Sequence, residues 1–345
     1  MSAGHEVRTE GPPPHARLIQ MGTGYWVSRI VYAAAKLGLA DHLAGGPKSA
    51  VELAGPTRTH APTLHRLMRT LASLCVLSED GNHRFALTPL GDALKTGAPG
   101  SARATIIALA GQWWWRGWEH FLYCLENGQT GMQKAYGMSL FAFLSKQAEE
   151  ASYFNEAMIG FHGTEPTAVA AAYDFSRFQT VVDIGGGTGN LLTEILKRHP
   201  GPRGILFDLP HVKAEASAAI EAQGLSGRVT VEAGDFFESV PQGSDGYVLS
   251  HVIHDWDENQ CLSILGNCRK AMKADGWLLI VEMVLPSGDA PHPGKVLDIA
   301  MLVMPGGQER TEEEYGALLS RGGFRLTRVV PTASAVSVVE AIPVS

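Results

Sequence analysis

The segment His251-Val-Ile-His254-Asp255-Trp256 places two imidazoles and a carboxylate within six residues, just after an apolar run that reads as the end of a strand. Those residue types suit three kinds of chemistry. Imidazoles beside a carboxylate can ligate a transition metal. They can also form a hydrogen-bonded cluster inside a core. An imidazole of ordinary pKa, near 6.5, is mostly neutral and therefore basic near pH 7, so the segment can equally carry a general base. The choice depends on what the surrounding elements bring to it.

From about Arg177 the chain alternates between strand and helix patterns. "TVVDI" runs into a glycine turn and the helical "NLLTEILKRH"; "GILFDLP", "RVTVEAGD", "GYVLSHVI" and "GWLLIVEMV" read as further strands, with a helix from Asp257 to about Met272. This alternation implies a parallel sheet covered on both faces, an open doubly wound α/β fold. Such folds bind ligands beyond the carboxyl ends of their strands. His251 and His254 therefore stand at a binding edge.

The glycine turn narrows the ligand. Gly185, Gly187 and Gly189 are spaced G-x-G-x-G, and Asn190 occupies the place of the last glycine in a dinucleotide fingerprint, so NAD fits poorly. Asp183 ends the strand before the turn, where it would repel a pyrophosphate and favour an ammonium. Asp208 ends the next strand, placed to accept two ribose hydroxyls. Asp235, beside Phe236, offers an acceptor for an adenine amino group and a ring to stack on it. Ser250, at the end of "GYVLS", joins this set. Any one of these acids could be a helix cap. Three in succession describe S-adenosylmethionine better than a phosphate-bearing cofactor.

"VVDIGGGTG", "FDLPHV", "GDFF", "HVIHDWDENQC", "LIVEMVLP" and "PGGQERT", in that order, resemble the plant and bacterial small-molecule O-methyltransferases of the caffeate and hydroxyneurosporene type. The resemblance extends to "AYGMSLFAFL" and "YFNEAM" ahead of the glycine turn. It implies a mostly α-helical winged-helix dimerisation domain over residues 1–165 and a Rossmann-like cofactor domain over 166–345. It also implies a homodimer whose partner helps to build the acceptor pocket. The family's base, the histidine before Asp-Trp, is His254 here, and its two orienting acids match Glu282 and Glu309. Asp255 is expected as a local structural or cofactor-side partner that also borders the substrate, with a helix-start cap as the alternative. Met158, His162, Met301 and Met304 match pocket positions, and Phe154, Phe161 and the tryptophans of residues 113–118 are further candidate walls. No metal follows from the resemblance. A strand continued through residue 254 would also put His251 and His254 on opposite faces. The expectation is thus methyl transfer to a hydroxyl of a small aromatic or polyketide-like compound, without a metal; methylation at carbon or nitrogen is the alternative within the enzyme class, and a ligand-responsive winged-helix DNA-binding regulator the alternative outside it.

The N-terminal half reads as helical from Tyr25 to about Phe175. Leu64, Leu67, Met68, Leu71 and Leu74 form one helical stripe, followed by a turn at "SEDGN", a short strand, and a cap at Thr88-Pro89. Helix, helix and hairpin in that order resemble a winged helix. Lysine plus arginine total 28 against 35 acids, a net charge of −7, which argues against nucleic acid as the partner. Trp113, Trp114, Trp115 and Trp118 cannot share one helical face, so some must meet a neighbour, a ligand or a second subunit. Four cysteines without C-x-x-C spacing, no signal-peptide pattern and no apolar run of membrane-spanning length lead to the expectation of a soluble cytoplasmic protein with a frayed, Pro-rich N-terminus.

Overall fold

The computed structural model describes residues 11–344 apart from the Phe161 side chain; most of the stretch expected to fray, residues 1–10, lies outside the described residues. The chain forms two compact units, Met1–Trp115 with Glu149–Phe161, and Arg116–Ala148 with His162–Ser345. Sequence alone suggests one boundary after residue 165, whereas the units interleave. Glycines explain why residues 116–148 join the second unit. A Cβ on Gly131 would lie 2.2 Å from the Gly117 carbonyl oxygen, and one on Gly117 would lie 2.6 Å from the Met304 sulfur. Only bare backbone permits packing that close.

In the first unit, Ser49 and Glu52 form a capping box that starts the helix Ala50–Thr57. The helix Ala61–Ser73 buries Leu64, Met68 and Leu71 along the expected stripe. The strands β1 (Leu77–Glu79) and β2 (Phe85–Leu87) then pair antiparallel. The Thr88 hydroxyl accepts the Gly91 N–H at the next helix start. Trp113 is buried and Trp115 exposed, as their angular separation on one helix demands.

The second unit is built on a seven-stranded sheet. Its strands are β3 (Thr180–Ile184), β4 (Arg203–Asp208), β5 (Val229–Ala233), β6 (Gly246–Ser250) and β7 (Trp277–Glu282), with β10 (Phe324–Pro331) and β11 (Ser337–Pro343) at one edge. The order is β10-β11-β7-β6-β3-β4-β5. Strands β3 to β7 are parallel, as expected. The last two run antiparallel, so the sheet is mixed. Five residues separate β10 from β11, enough for a hairpin but not for a parallel crossover.

Both faces are covered. Val182, Ile184, Leu249, Leu278 and Ile280 pack with the helices Glu258–Ala271 and Glu312–Arg321. Val181, Val248, Leu279 and Val281 pack with Glu165–Ala172, Asn190–Arg198 and Lys213–Ala222. A short parallel pair, β8 (Val284–Leu285) with β9 (Arg310–Thr311), ties the glutamate at the end of β7 to the "GGQERT" segment. Among the described residues no helix is long and apolar enough to cross a membrane.

Candidate active site

Strand β6 ends at Ser250, earlier than its apolar pattern suggests. His251 then adopts φ 52°, in the left-handed region, while its N–H still reaches the Val281 carbonyl at 3.1 Å. Ile253–Asp255 make a short 3-10 turn, and Asp257 caps the following helix with Gln260 as its box partner. Because the chain leaves the sheet here, His251 and His254 do not alternate across a strand. Their ring centroids lie 5.3 Å apart, so the expectation of opposite faces fails.

His254 is buried, with Nδ1 2.7 Å from Glu309 Oε1. A carboxylate can only accept, so Nδ1 carries the hydrogen and the lone pair of the neutral ring lies on Nε2. That Nε2 is 3.8 Å from Asp255 Oδ1, too far for a hydrogen bond but close enough for charge attraction. Burial pulls the imidazole down, yet Asp255, Glu309 and Glu282 outweigh it and raise its pKa to about 10. Burial in turn lifts Asp255 to about 6, against the pull of His254. Glu282 is also raised by burial.

The two glutamates expected to orient the ring have different contacts. Glu309 binds the ring. Glu282 accepts the backbone N–H groups of Val252 and His254, each at 3.1 Å, through Oε1, and the Tyr315 hydroxyl through Oε2. It thereby clamps the turn beneath the imidazole. Glu309 reaches its place because Gly307 lies against the same turn. A Cβ there would fall 2.0 Å from the His254 carbonyl oxygen and 2.6 Å from the Trp256 nitrogen. The Glu309 N–H is held at 2.9 Å by Asp298 Oδ1. Buried Arg310 donates to the Ile253 and Gln308 carbonyls, tying the turn to the segment that carries Glu309. Sequence reasoning missed Tyr315, Gly307, Asp298 and Arg310; only the second glycine of "PGGQERT" carried any signal.

The glycine turn has the close backbone that a nucleoside cofactor requires. Gly185 and Gly187 have φ of 67° and 56°. A Cβ on Gly185 would touch the Phe236 ring at 3.5 Å, so that aromatic lies beside the turn. Asp208 Oδ2 accepts the Gly187 N–H at 2.7 Å, and its Oδ1 accepts the Leu209 N–H at 2.7 Å, fixing the turn against the end of β4. Asp235 Oδ1 accepts the Phe237 N–H at 2.8 Å, and Asn267 donates to the Phe236 and Phe237 carbonyls, setting the "GDFF" loop. Ser250 is half-buried at the end of β6.

Asp183 differs from the expectation of an open ammonium ligand. It is 1% exposed beneath the turn, where a Cβ on Gly186 would meet its carboxyl at 2.6 Å. Among the described residues no donor in ordinary geometry reaches either oxygen, although the Leu192 N–H exerts a small pull. Burial, with the charge of Asp208 added, raises its pKa to about 7. The residues at the turn thus fit the expected cofactor, with Asp183 supporting the turn from below.

On the acceptor side, Met301 and Met304 are buried in the second unit, Met304 against Gly117. Met158 and Phe154 belong to the first unit, where Phe154 packs edge-on against Trp113 at 6.3 Å. The Phe161 side chain lies outside the described residues. His162 closes the helix Ala148–His162, and its Nδ1 is 3.1 Å from Glu165 Oε2. His251 Nε2 meets the same oxygen at 2.9 Å. Glu165 belongs to no motif that the sequence reveals.

Known proteins match along most of the chain. Residues 118–325 match the O-methyltransferase domain, and residues 19–97 match the O-methyltransferase dimerisation domain. The chain is 46% identical over 337 residues to the phenazine O-methyltransferase of Lysobacter antibioticus, covering 98% of each. It is 35% identical over 323 residues to the phenazine-1-carboxylate N-methyltransferase of Pseudomonas aeruginosa, covering 91% of this chain and 92% of that one. An O-methyltransferase from neocarzinostatin biosynthesis, solved with S-adenosylmethionine and 2-hydroxy-5-methyl naphthoic acid, superposes with a TM-score of 0.82 at 32% identity, covering 92% of this chain and 96% of that one.

Proposed function

Because the chain belongs to the O-methyltransferase family with a dimerisation domain, and is an S-adenosylmethionine-dependent methyltransferase, we propose that it methylates a hydroxyl of a small polycyclic aromatic metabolite, with His254 as general base. The observation that carries this reading is the buried 2.7 Å bond from His254 Nδ1 to Glu309, which leaves Nε2 as the basic atom. Relatives that act on phenazines and bind a hydroxynaphthoate support the aromatic acceptor. The dimerisation segment supports a homodimer, which we read as cytoplasmic.

S-adenosylmethionine, when bound, supplies a methyl group on a sulfonium sulfur. The glycine turn, Asp208, Asp235, Phe236 and Ser250 would hold it. His254 Nε2 removes the hydroxyl proton of the acceptor, and Nδ1–H stays on Glu309, whose charge stabilises the imidazolium that forms. Glu282 and Tyr315 keep the turn, and with it the ring, in register. Asp255 faces the basic nitrogen and favours the protonated product of that step. Alignment of methyl and oxygen supplies much of the remaining rate.

His254→Ala should leave calorimetric S-adenosylmethionine affinity intact and lower methyl transfer to a weakly acidic phenol by about 100- to 10,000-fold. Loss of cofactor binding together with activity would refute the assignment. A second reading, methylation at nitrogen, is favoured by the similarity to a phenazine N-methyltransferase. A ring nitrogen has no proton to surrender, so under that reading His254→Ala costs little. Mass spectrometry of product made with deuterated methyl donor locates the label on oxygen or on nitrogen.

A further inference from the structure

We propose that His162, Glu165 and His251 form a binding site for a single divalent transition-metal ion of the Zn2+ or Co2+ type, although the family resemblance implies no metal. One donor atom from each of the three residues lies within 4.8 Å of the others. Glu165 Oε2 stands 3.1 Å from His162 Nδ1 and 2.9 Å from His251 Nε2. Neighbouring ligands of a tetrahedral ion are separated by roughly 3.3 Å when the bonds are near 2.0 Å. The two sides that meet at Glu165 Oε2 are therefore within a few tenths of an ångström of the spacing an ion needs.

The donor set also has the right chemistry. Two imidazole nitrogens and one carboxylate oxygen, with the fourth position left to water or a ligand, form the His2Glu set of zinc sites and are unsuited to calcium or magnesium. Both nitrogens converge on one carboxylate oxygen. A triad built only to satisfy hydrogen bonds would be served as well by one imidazole on each oxygen.

The backbone is shaped to bring these groups together. His162 ends one helix and Glu165 begins the next, across a turn in which Gly163 has φ 47°. His251 holds the left-handed φ of 52°, uncommon for a residue with a side chain. All three residues lie in the second unit. Methyl transfer as derived above uses neither Glu165 nor the bond between it and the two histidines. The His251 ring is 5.3 Å from that of His254, so an ion held here would stand close to the base.

The test uses untagged full-length enzyme, stripped with chelator and titrated with CoCl2 while the visible d–d absorption of the bound ion is followed. One equivalent should bind, and ZnCl2 should displace it. Glu165→Gln, His251→Asn and His162→Gln should each weaken Co2+ by roughly tenfold or more, while S-adenosylhomocysteine affinity, measured on the same samples, reports that the fold survives. His83→Ala should leave Co2+ binding unchanged, because it removes a ligand from the separate group of half-buried His65 and exposed Glu79 and His83 in the first unit. The proposal is overturned if the folded variants bind Co2+ like wild type, if His83→Ala alone abolishes binding, or if no Co2+ binds at all. None of these outcomes bears on methyl transfer, which His254→Ala tests separately.

Discussion

Three carboxylates crowd one imidazole, and the balance among them sets how the base works. Burial alone would favour a neutral ring, but Asp255, Glu309 and Glu282 raise its pKa to about 10, close to that of an ordinary phenol. Proton transfer from a phenolic acceptor is then nearly balanced, whereas in the enzyme without acceptor this ring, unlike an imidazole of ordinary pKa, is mostly protonated near pH 7. kcat/KM should therefore climb with pH through neutrality and level off only as the ring deprotonates, toward about 10. Removing an anion disfavours the imidazolium, so Glu309→Gln should move this acid limb to lower pH while lowering the plateau, since an amide can also donate and no longer enforces one tautomer. Identical limbs for the two enzymes in kcat/KM profiles would sink the idea. The motif before Asp-Trp made His254 legible in the sequence. The division of labour between Glu282 and Glu309 was not legible, because it depends on which atoms of a turn face each carboxylate. Glu165 gave no signal at all, since its partners are three and eighty-six positions away.

The elements hold the site by a few close backbone approaches. Gly307 packs on the turn carrying His254, and the atoms nearest its missing Cβ are backbone, which cannot swing aside. Gly307→Ala should push Glu309 and the turn apart and lower kcat by about 100-fold, the cost of misplacing a catalytic group by roughly 1 Å. The same exchange at Gly316, within the helix Glu312–Arg321 and with nothing near its Cβ, should instead stabilise the fold by about 0.4–1 kcal/mol. Thermal melts and steady-state rates on the pair distinguish steric contact from a general effect of glycine replacement. At this scale β3 to β7 and the capped helix after Asp257 were legible, because apolar periodicity reports the interior of an element well. The end of β6 was not. Val252 and Ile253 continue the apolar run and are buried, but by a turn rather than by the sheet. Nor does an apolar pattern distinguish the antiparallel β11 from its parallel neighbours.

At the scale of the molecule, the first unit leaves an apolar band uncovered. Among the described residues the helix Pro14–Thr23 has none that is buried: Leu18 and Met21 are 68% and 71% exposed, and Trp26 on the next helix is 58% exposed. A ten-residue helix has little stability of its own in water, and single apolar residues at a surface are ordinary where a contiguous run of them is not. The matched dimerisation segment starts at residue 19, within this band. The sequence showed the residues but not their exposure, because the same periodicity describes a helix packed on its own core and one packed on a second copy. If the band is the seam of a homodimer, Ile19→Glu combined with Trp26→Glu places two charges per chain where each would lose its water without gaining a partner. Wild-type enzyme should sediment at twice the mass of the chain across micromolar concentrations, and the double variant at the mass of one chain, with S-adenosylhomocysteine still bound because the glycine turn belongs to the other unit. A double variant that remained dimeric would move the seam elsewhere and leave the exposed helix unexplained.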